Sequence, residues 1–427
     1  MTTRSTPLRL PSMPEQALAE AALRIGFAAA ERIQVGCLTV VLPDGSRRVF
    51  GDRASERRAE IRFHDNRALV HLLLHGETGA GEAYVDGGWS SPDLPALLEL
   101  AALNRSSLAL SAGWWRMPAE IGRRLAHRAR RNTRTQSRTN IAAHYDLSND
   151  LYRLFLDETM TYSSAVFETP DQSLADAQRH KYRLMAEGAG LVAGSGAASD
   201  TRPVGGRHVL EIGSGWGGFA LYAAGELGCR VTTITISKAQ HDLARERVHA
   251  AGLDHLVDVQ LRDYREIQGT YDAIVSIEML EAVGAEYYGA FFRACDAALA
   301  PGGRLSIQSI TFRNDAYEAQ RRGANWIQQY IFPGGLVPSL AAIEEATAGT
   351  RLLMKSARDI GEHYVPTLRA WRTRFLEQAS AVRALGFDER FIRMWEYYLA
   401  LSEVGFGTGL SQDHQIVFEK RRGMALP

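Results

Sequence analysis

At 427 residues the chain exceeds what one ordinary core accommodates, so two folding units are expected, each long enough to bury a sizeable core. Lys and Arg total 49 and Asp and Glu total 49, a formal net charge of zero that gives no reason to expect a nucleic-acid partner. The three cysteines, Cys37, Cys229 and Cys295, are far apart and lack metal-ligand spacing, which argues against a disulfide scaffold or metal site and fits a reducing, cytoplasmic compartment. Residues 1–16 contain Arg4 and Arg9 but no apolar core of signal-peptide length. No uncharged apolar run is long enough to span a bilayer, so membrane contact is expected to be peripheral.

Apolar and alanine positions recur at helical spacing over residues 17–32, and 36–42, 47–50 and 59–63 read as short strands around the Asp44-Gly45 turn. Helical patterns at 66–74 and 94–100 are separated by the turn-rich Glu77-Thr-Gly-Ala-Gly-Glu82 and by Gly87-Gly88-Trp89. No acid, base or nucleophile cluster lies here, and residues 1–113 read as a small α+β binding or scaffolding unit. Residues 114–141 carry Arg116, Arg123, Arg124, Arg128, Arg130, Arg131, Arg134 and Arg138 against the single acid Glu120, beside Trp114, Trp115, Met117, Ile121 and Leu125. Two readings stand: an amphipathic basic segment lying on an anionic membrane surface, or a solvated inter-domain helix. The segment has no RNA-binding signature.

From residue 142 the chain changes character. After a helical stretch at 174–189 and a small, polar loop at 193–200, strands and helices alternate. Strands are expected at 209–212, 230–236, 257–261, 273–277 and 304–310, with helices at 218–227, 238–250 and 285–298. This pattern predicts an α/β fold, a doubly wound and mostly parallel sheet with ligands at the carboxyl ends of its strands. The run Val209-Leu-Glu-Ile-Gly-Ser-Gly-Trp-Gly-Gly218 reads as a buried strand entering a tight turn. Gly213 and Gly215 let backbone approach a ligand, while Gly217 and Gly218 let the next helix pack closely. Such turns serve dinucleotides, phosphates or plain packing. A dinucleotide site needs an acid ending the second strand, yet Arg230-Val-Thr-Thr-Ile-Thr-Ile-Ser237 offers none. Thr235, the backbone near Ile236, and Gln240 stand there instead. The third strand ends in Arg262-Asp263-Tyr264, where the carboxylate can accept an adenine amino proton and the tyrosine can cover the ring; the alternative for Asp263 is a surface turn.

His144-Tyr-Asp-Leu-Ser-Asn-Asp150, Met160-Thr-Tyr-Ser-Ser164, the glycine turn, Thr235-Ile-Ser237 with Gln240, Asp263-Tyr264, Glu278-Met-Leu-Glu-Ala-Val-Gly284, Tyr330-Ile-Phe-Pro-Gly-Gly335 and Arg393-Met-Trp-Glu-Tyr-Tyr-Leu399 occur in this order. With these motifs the whole chain resembles the cyclopropane-fatty-acyl-phospholipid synthases, relatives of the mycolic acid cyclopropane synthases and of actinobacterial enzymes that branch fatty acids. The resemblance implies an N-terminal lipid-binding domain and a class I methyltransferase domain over 142–427 that binds S-adenosylmethionine. Carried over by position, Tyr162, Ser163, Gly213, Gly215, Thr235, Ile236, Gln240, Asp263 and Tyr264 resemble cofactor contacts. The implied partner is a phospholipid bearing an unsaturated acyl chain; the arginine-rich stretch 114–141 adds an anionic membrane surface on the cytoplasmic side as the expected second partner. A homo-oligomer is implied as well.

The resemblance also implies methyl transfer to a cis double bond, leaving a carbocation, with aromatic faces such as Tyr364, Tyr288 and Phe332 available to stabilise it. Proton loss then closes a cyclopropane or yields a methyl- or methylene-branched chain, according to where the base stands. In the family a bicarbonate ion is that base, in a pocket whose equivalents here are Ser164, Glu281, Gln308, Ile310, Tyr364 and Ser402. The chain departs from the cyclopropane-synthase pattern: Ser164 and Ser402 replace cysteines, while Gln308 and Ala282 replace histidines. Gln308 cannot titrate. The pattern around these residues looks more like the branch-forming relatives. Glu281 is expected to orient the bicarbonate or accept the proton itself, against the plainer reading of a helix cap. Glu278 reads equally well as structural, His363 as a solvated surface residue, and Trp326, Trp371 and Trp395 as core or acyl-tunnel lining. Two other functions remain open: a lipid-binding protein whose methyltransferase domain has lost activity, and a methyltransferase for a non-lipid acceptor.

Overall fold

The computed structural model describes residues 15–108, 148–192, 206–322 and 325–422. The arginine-rich stretch 114–141, residues 144–147 of the first motif and the polar loop lie outside the described residues. The chain divides into two compact units, one running to residue 118 and joined by Glu389–Tyr397, the other formed by 119–388 and 398–427.

In the first unit, β1 (Cys37–Val41), β2 (Arg47–Gly51), β3 (Arg58–Phe63) and β4 (Trp89–Ser90) form a sheet in the order β2-β1-β3-β4. The strands β1 and β2 are antiparallel, and β1 and β3 parallel. The helix Glu15–Ala30 precedes the sheet, and Asn66–Val85 and Leu94–Leu103 follow β3 and β4, capped by Asp65 and Asp93. The segment 77–82 is helical, not turn-like. The helix breaks at Gly76 (φ 59°, ψ −139°) and resumes, because a Cβ on Gly79 would stand 2.5 Å from the His71 carbonyl oxygen. Those glycines serve close packing. Tyr84 is central: its ring lies 4.8 Å from that of Trp89 and 5.5 Å from that of Tyr397, and its hydroxyl donates to Glu396 at 2.7 Å. These contacts bind Glu389–Tyr397 to this unit.

The second unit holds a seven-stranded sheet in the order β10-β11-β9-β8-β5-β6-β7. Its strands are β5 (His208–Ile212), β6 (Arg230–Thr235), β7 (Val257–Leu261), β8 (Tyr271–Ile277), β9 (Leu299–Phe312), β10 (Leu352–Asp359) and β11 (Ser411–Lys420). Strands β5 to β9 pair in parallel, and β11 runs antiparallel to both neighbours. Strand alternation splits the core into two layers. Val209, Val231, Ala273 and Val275 pack with Met185 and Phe219 on one face, while Leu210, Ile212, Ile274 and Leu305 pack with Phe291, Phe292 and Ile343 on the other. Chain order reverses between β5 and β8, the position at which such sheets open a crevice for ligands. In the antiparallel pair the apolar runs are short, Leu352 to Met354 and Ile416 to Phe418, and β11 also buries Asp413, His414 and Gln415.

Phe291 is fully buried between Tyr264 and Phe292. Phe291→Ala is expected to lower unfolding stability by about 3–5 kcal/mol through lost transfer energy and a residual cavity. Denaturant titration checks this, and a change below about 1 kcal/mol would show that the core closes over the gap.

Candidate active site

The carboxyl ends of β5 to β8 open into one cavity, and every residue expected to contact the cofactor lines it: Tyr162, Ser163, Gly213, Gly215, Thr235, Ile236, Gln240, Asp263 and Tyr264. Gly213 (φ 95°) and Gly215 (φ 48°) both take the left-handed backbone. A Cβ on Gly215 would meet no atom within 4 Å and would enter the open cavity, whereas one on Gly213 would press on Met279 at 3.1 Å. The Thr235 hydroxyl donates to Gln240 Oε1 at 3.0 Å, and Ser237 caps the following helix through the Gln240 N–H. Asp263 is buried, and its carboxylate receives Arg265 Nε at 2.8 Å and Nη2 at 2.7 Å. The backbone N–H of Arg265 also donates to Asp263 Oδ1, at 2.9 Å. Tyr162 stacks on Trp371 at 5.1 Å and donates to the Tyr398 hydroxyl at 2.8 Å. The residues fit an adenosyl ligand: an open glycine cradle, a hydroxyl and amide after the second strand, and an acid with an aromatic ring after the third.

A carboxylate hub borders this cavity. Glu278, in the cavity wall just after β8, accepts the Ser164 N–H at 2.8 Å and Gln308 Nε2 at 2.9 Å on Oε1, and the Tyr364 hydroxyl at 2.6 Å on Oε2. Its backbone is left-handed (φ 47°), as is that of Met160 (φ 54°), another wall residue. Such strain costs on the order of 1–3 kcal/mol per residue and concentrates at functional sites. Gln308 Nε2 also donates to Asp413 Oδ2 at 3.0 Å. Burial, then the charges of Glu278 and Glu281, push Asp413 well above the ordinary carboxylate range. Burial raises Glu278 too, opposed by the Tyr364 hydroxyl, Lys181, Ser164 and Gln308. Lys181 is wholly buried, donates to Ser163 Oγ at 2.6 Å, and is pushed down to about 8 by desolvation.

Glu281 forms a second cluster. Its Oε1 accepts the Ile310 N–H and the Ser309 hydroxyl, the latter at 3.0 Å, while Oε2 is shielded from solvent with no hydrogen-bond partner. Burial, and then the charge of Glu278, push Glu281 up to about 8. Glu281 is therefore held by strand β9 and does not act as a side-chain helix cap. The six residues that the resemblance gives to bicarbonate do not fit a bound ion. The Ser164 N–H, Gln308 Nε2 and the Tyr364 hydroxyl are engaged by Glu278, the Ser164 hydroxyl donates to the Ala165 carbonyl, and the Ile310 N–H is taken by Glu281.

Two side readings change. His363 is half-buried rather than a free surface residue: its Nδ1 accepts the Phe167 N–H at 3.3 Å and its ring lies 6.5 Å from that of Phe167. Tyr288 belongs to the hydrophobic core, with its hydroxyl on the Leu336 carbonyl. Sequence reasoning left Glu278 undecided and passed over Asp413 and Lys181. The available signals were an acid directly after a parallel strand and, for Lys181, its place on the buried helical stripe Leu174, Gln178, Lys181, Met185.

Fold and cavity together define a class I methyltransferase. The sequence profile of the mycolic acid cyclopropane synthetase family matches residues 132–416. The tuberculostearic acid methyltransferase of Mycobacterium tuberculosis is 42% identical over 371 residues, covering 85% of this chain and 83% of that protein. The cyclopropane-fatty-acyl-phospholipid synthase of Escherichia coli is 33% identical over 367 residues, covering 85% and 88%. Among solved structures, a cyclopropane synthase from Mycobacterium tuberculosis superposes with a TM-score of 0.60 at 28% identity, covering 66% of this chain and 98% of that one. A mycolic acid cyclopropane synthase complexed with SAH and CTAB gives 0.60 at 29%, with 66% and 98% covered. The chain belongs to the mycolic acid cyclopropane synthetase family and is an S-adenosylmethionine-dependent methyltransferase of the cyclopropane-synthase kind.

Gly215→Val should weaken S-adenosylhomocysteine binding by at least roughly tenfold, equivalent to about 1.4 kcal/mol, without loss of fold; calorimetric titration that finds unchanged affinity would reduce the turn to a packing feature. Glu211, in the cavity wall, is pushed up to about 8 by burial, offset in part by the Thr233 hydroxyl and by Lys181. An acid raised in the folded state stabilises fully below its ordinary value of 4.5 and loses that contribution as pH climbs through about 8. The melting temperature of Glu211→Gln relative to wild type should therefore rise between about pH 5 and pH 8. A constant difference would exclude Glu211 from the pH dependence.

Proposed function

We propose that this protein methylates the cis double bond of an unsaturated phospholipid acyl chain, giving a cyclopropane or a methyl- or methylene-branched chain. The observation that carries the reading is a buried carboxylate, Glu278, in the wall of the cavity whose glycine cradle fits the cofactor. Methylation of an oxygen or nitrogen needs no base for a C–H proton; methylation of an alkene does. The similarity to the tuberculostearic acid methyltransferase and the cyclopropane-fatty-acyl-phospholipid synthase supports the acceptor.

Bound S-adenosylmethionine supplies an electrophilic methyl group. Gly213 and Gly215 would give its backbone cradle, Thr235, Ile236 and Gln240 would hold the ribose side, and Asp263 and Tyr264 the adenine, all of them residues of the cavity wall. An alkene is a weak nucleophile, so the remaining work of the protein is alignment and exclusion of water. Tyr162 and Trp371 are stacked, and Tyr364 lies 4.4 Å from Phe406, which places aromatic faces beside Glu278 to stabilise positive charge on the chain. A C–H bond then breaks, its electron pair forms the ring bond or the alkene, and the proton passes to the carboxylate cluster. The first unit is proposed to bind lipid, and the basic stretch 114–141 to hold the protein on the inner, anionic face of the membrane, with self-association into homo-oligomers. No helix among the described residues is long and apolar enough to cross a bilayer.

The test is incubation with methyl-labelled S-adenosylmethionine and vesicles of unsaturated, partly anionic phospholipid. Label is expected in the fatty-acid fraction, with chromatography separating ring from branch. Folded, cofactor-binding protein that leaves the lipid unlabelled would sink the reading, and label elsewhere would move the acceptor outside lipid.

A further inference from the structure

The structure assigns the proton-accepting role in this reaction to Glu278, whose carboxylate stands in the seat that the resemblance gives to bicarbonate, so that the chain carries its own base. The inference rests on the proposed reaction and goes beyond it by naming the acceptor atoms. Three of the residues that resemble bicarbonate ligands, Ser164, Gln308 and Tyr364, point their donors at Glu278 at 2.8, 2.9 and 2.6 Å. A free anion there would compete with a tethered one already holding those three donors.

The surroundings favour the anion at that carboxylate. The Tyr364 hydroxyl, the charge of buried Lys181 and the donors on Ser164 and Gln308 oppose the rise that burial imposes on Glu278, whereas Glu281 is raised by burial and again by the charge of Glu278. Of the two glutamates after β8, Glu278 has donors on both carboxylate oxygens, while Glu281 leaves Oε2 buried without a hydrogen-bond partner. Glu278 also lines the cofactor cavity, and Glu281 does not. The left-handed backbone at Glu278 is a position that glycine fills without strain. A glutamate retained there keeps its side chain at the cost of backbone strain.

The step balances as follows. The methylated chain carries one positive charge. A C–H bond on the new methyl or on an adjacent chain carbon breaks, and its electron pair closes the ring or forms the double bond. The proton forms an O–H bond to Glu278 Oε, which becomes a neutral acid, and later leaves to water when product departs. No further reactant is consumed.

Three measurements test it. Wild-type turnover on unsaturated phospholipid vesicles in carbon-dioxide-free buffer should be unchanged by added bicarbonate, and stimulation of severalfold would overturn the assignment. Glu278→Gln should bind S-adenosylhomocysteine as wild type does and lose about 10²- to 10⁴-fold in turnover, the span of a general base; retained turnover would overturn it. Independently of turnover, ¹³C-bicarbonate followed by NMR should bind Glu278→Gly and not wild type, and the variant should regain label transfer when bicarbonate is added. Bicarbonate binding to wild type, or failure to bind the glycine variant, would show that Glu278 does not occupy the anion seat. If wild type transfers no label at all, the proposed reaction falls, while the bicarbonate titration still decides who occupies the seat.

Discussion

A buried carboxylate is costly unless its surroundings answer it, and Glu278 is answered from every side. A backbone N–H at Ser164, an amide from β9 and a phenol at Tyr364 converge on its two oxygens. These donors come from segments far apart in sequence. The seven-stranded sheet is what brings them together, for Gln308 pairs directly with Ile277 on one side and Gln415 on the other. Removing β11 would strip both a partner and a wall from the hub.

The cofactor cavity depends on simpler causes. Parallel strands leave their carboxyl ends at one edge of the sheet, the reversal between β5 and β8 opens a crevice, and glycines 213 and 215 keep that crevice clear of side chains. The carboxylate hub sits on the next strand over, β8, so the electrophile's site and the base's site share one wall. Chemistry that adds carbon to an alkene needs both, and needs them dry. The burial that raises Glu211, Glu278, Glu281 and Asp413 is the same burial that excludes water from a cation.

The parallel strands, the glycine turn and the residues lining the cofactor cavity were legible because each is a local pattern. An apolar run, a turn residue and a helix cap lie within a few positions of one another, as in Thr235 to Gln240. The antiparallel β10 and β11 were not legible, since their apolar runs span only three residues each and the rest of β11 buries polar side chains that answer other polar groups. The helix across Gly79 was obscured because its glycines mark close packing, which resembles turn chemistry in sequence.

What the sequence by itself determined is the doubly wound fold, the adenosyl cradle and the family, all of which follow from short-range spacing. What only the tertiary structure decided is the identity of the base. Glu278 and Glu281 stand three residues apart in one motif and look alike in sequence. They differ because one faces donors and a lysine from distant segments, while the other faces strand β9 and the charge of its neighbour. Protonation is set by the surrounding field, and that field exists only once the chain has folded.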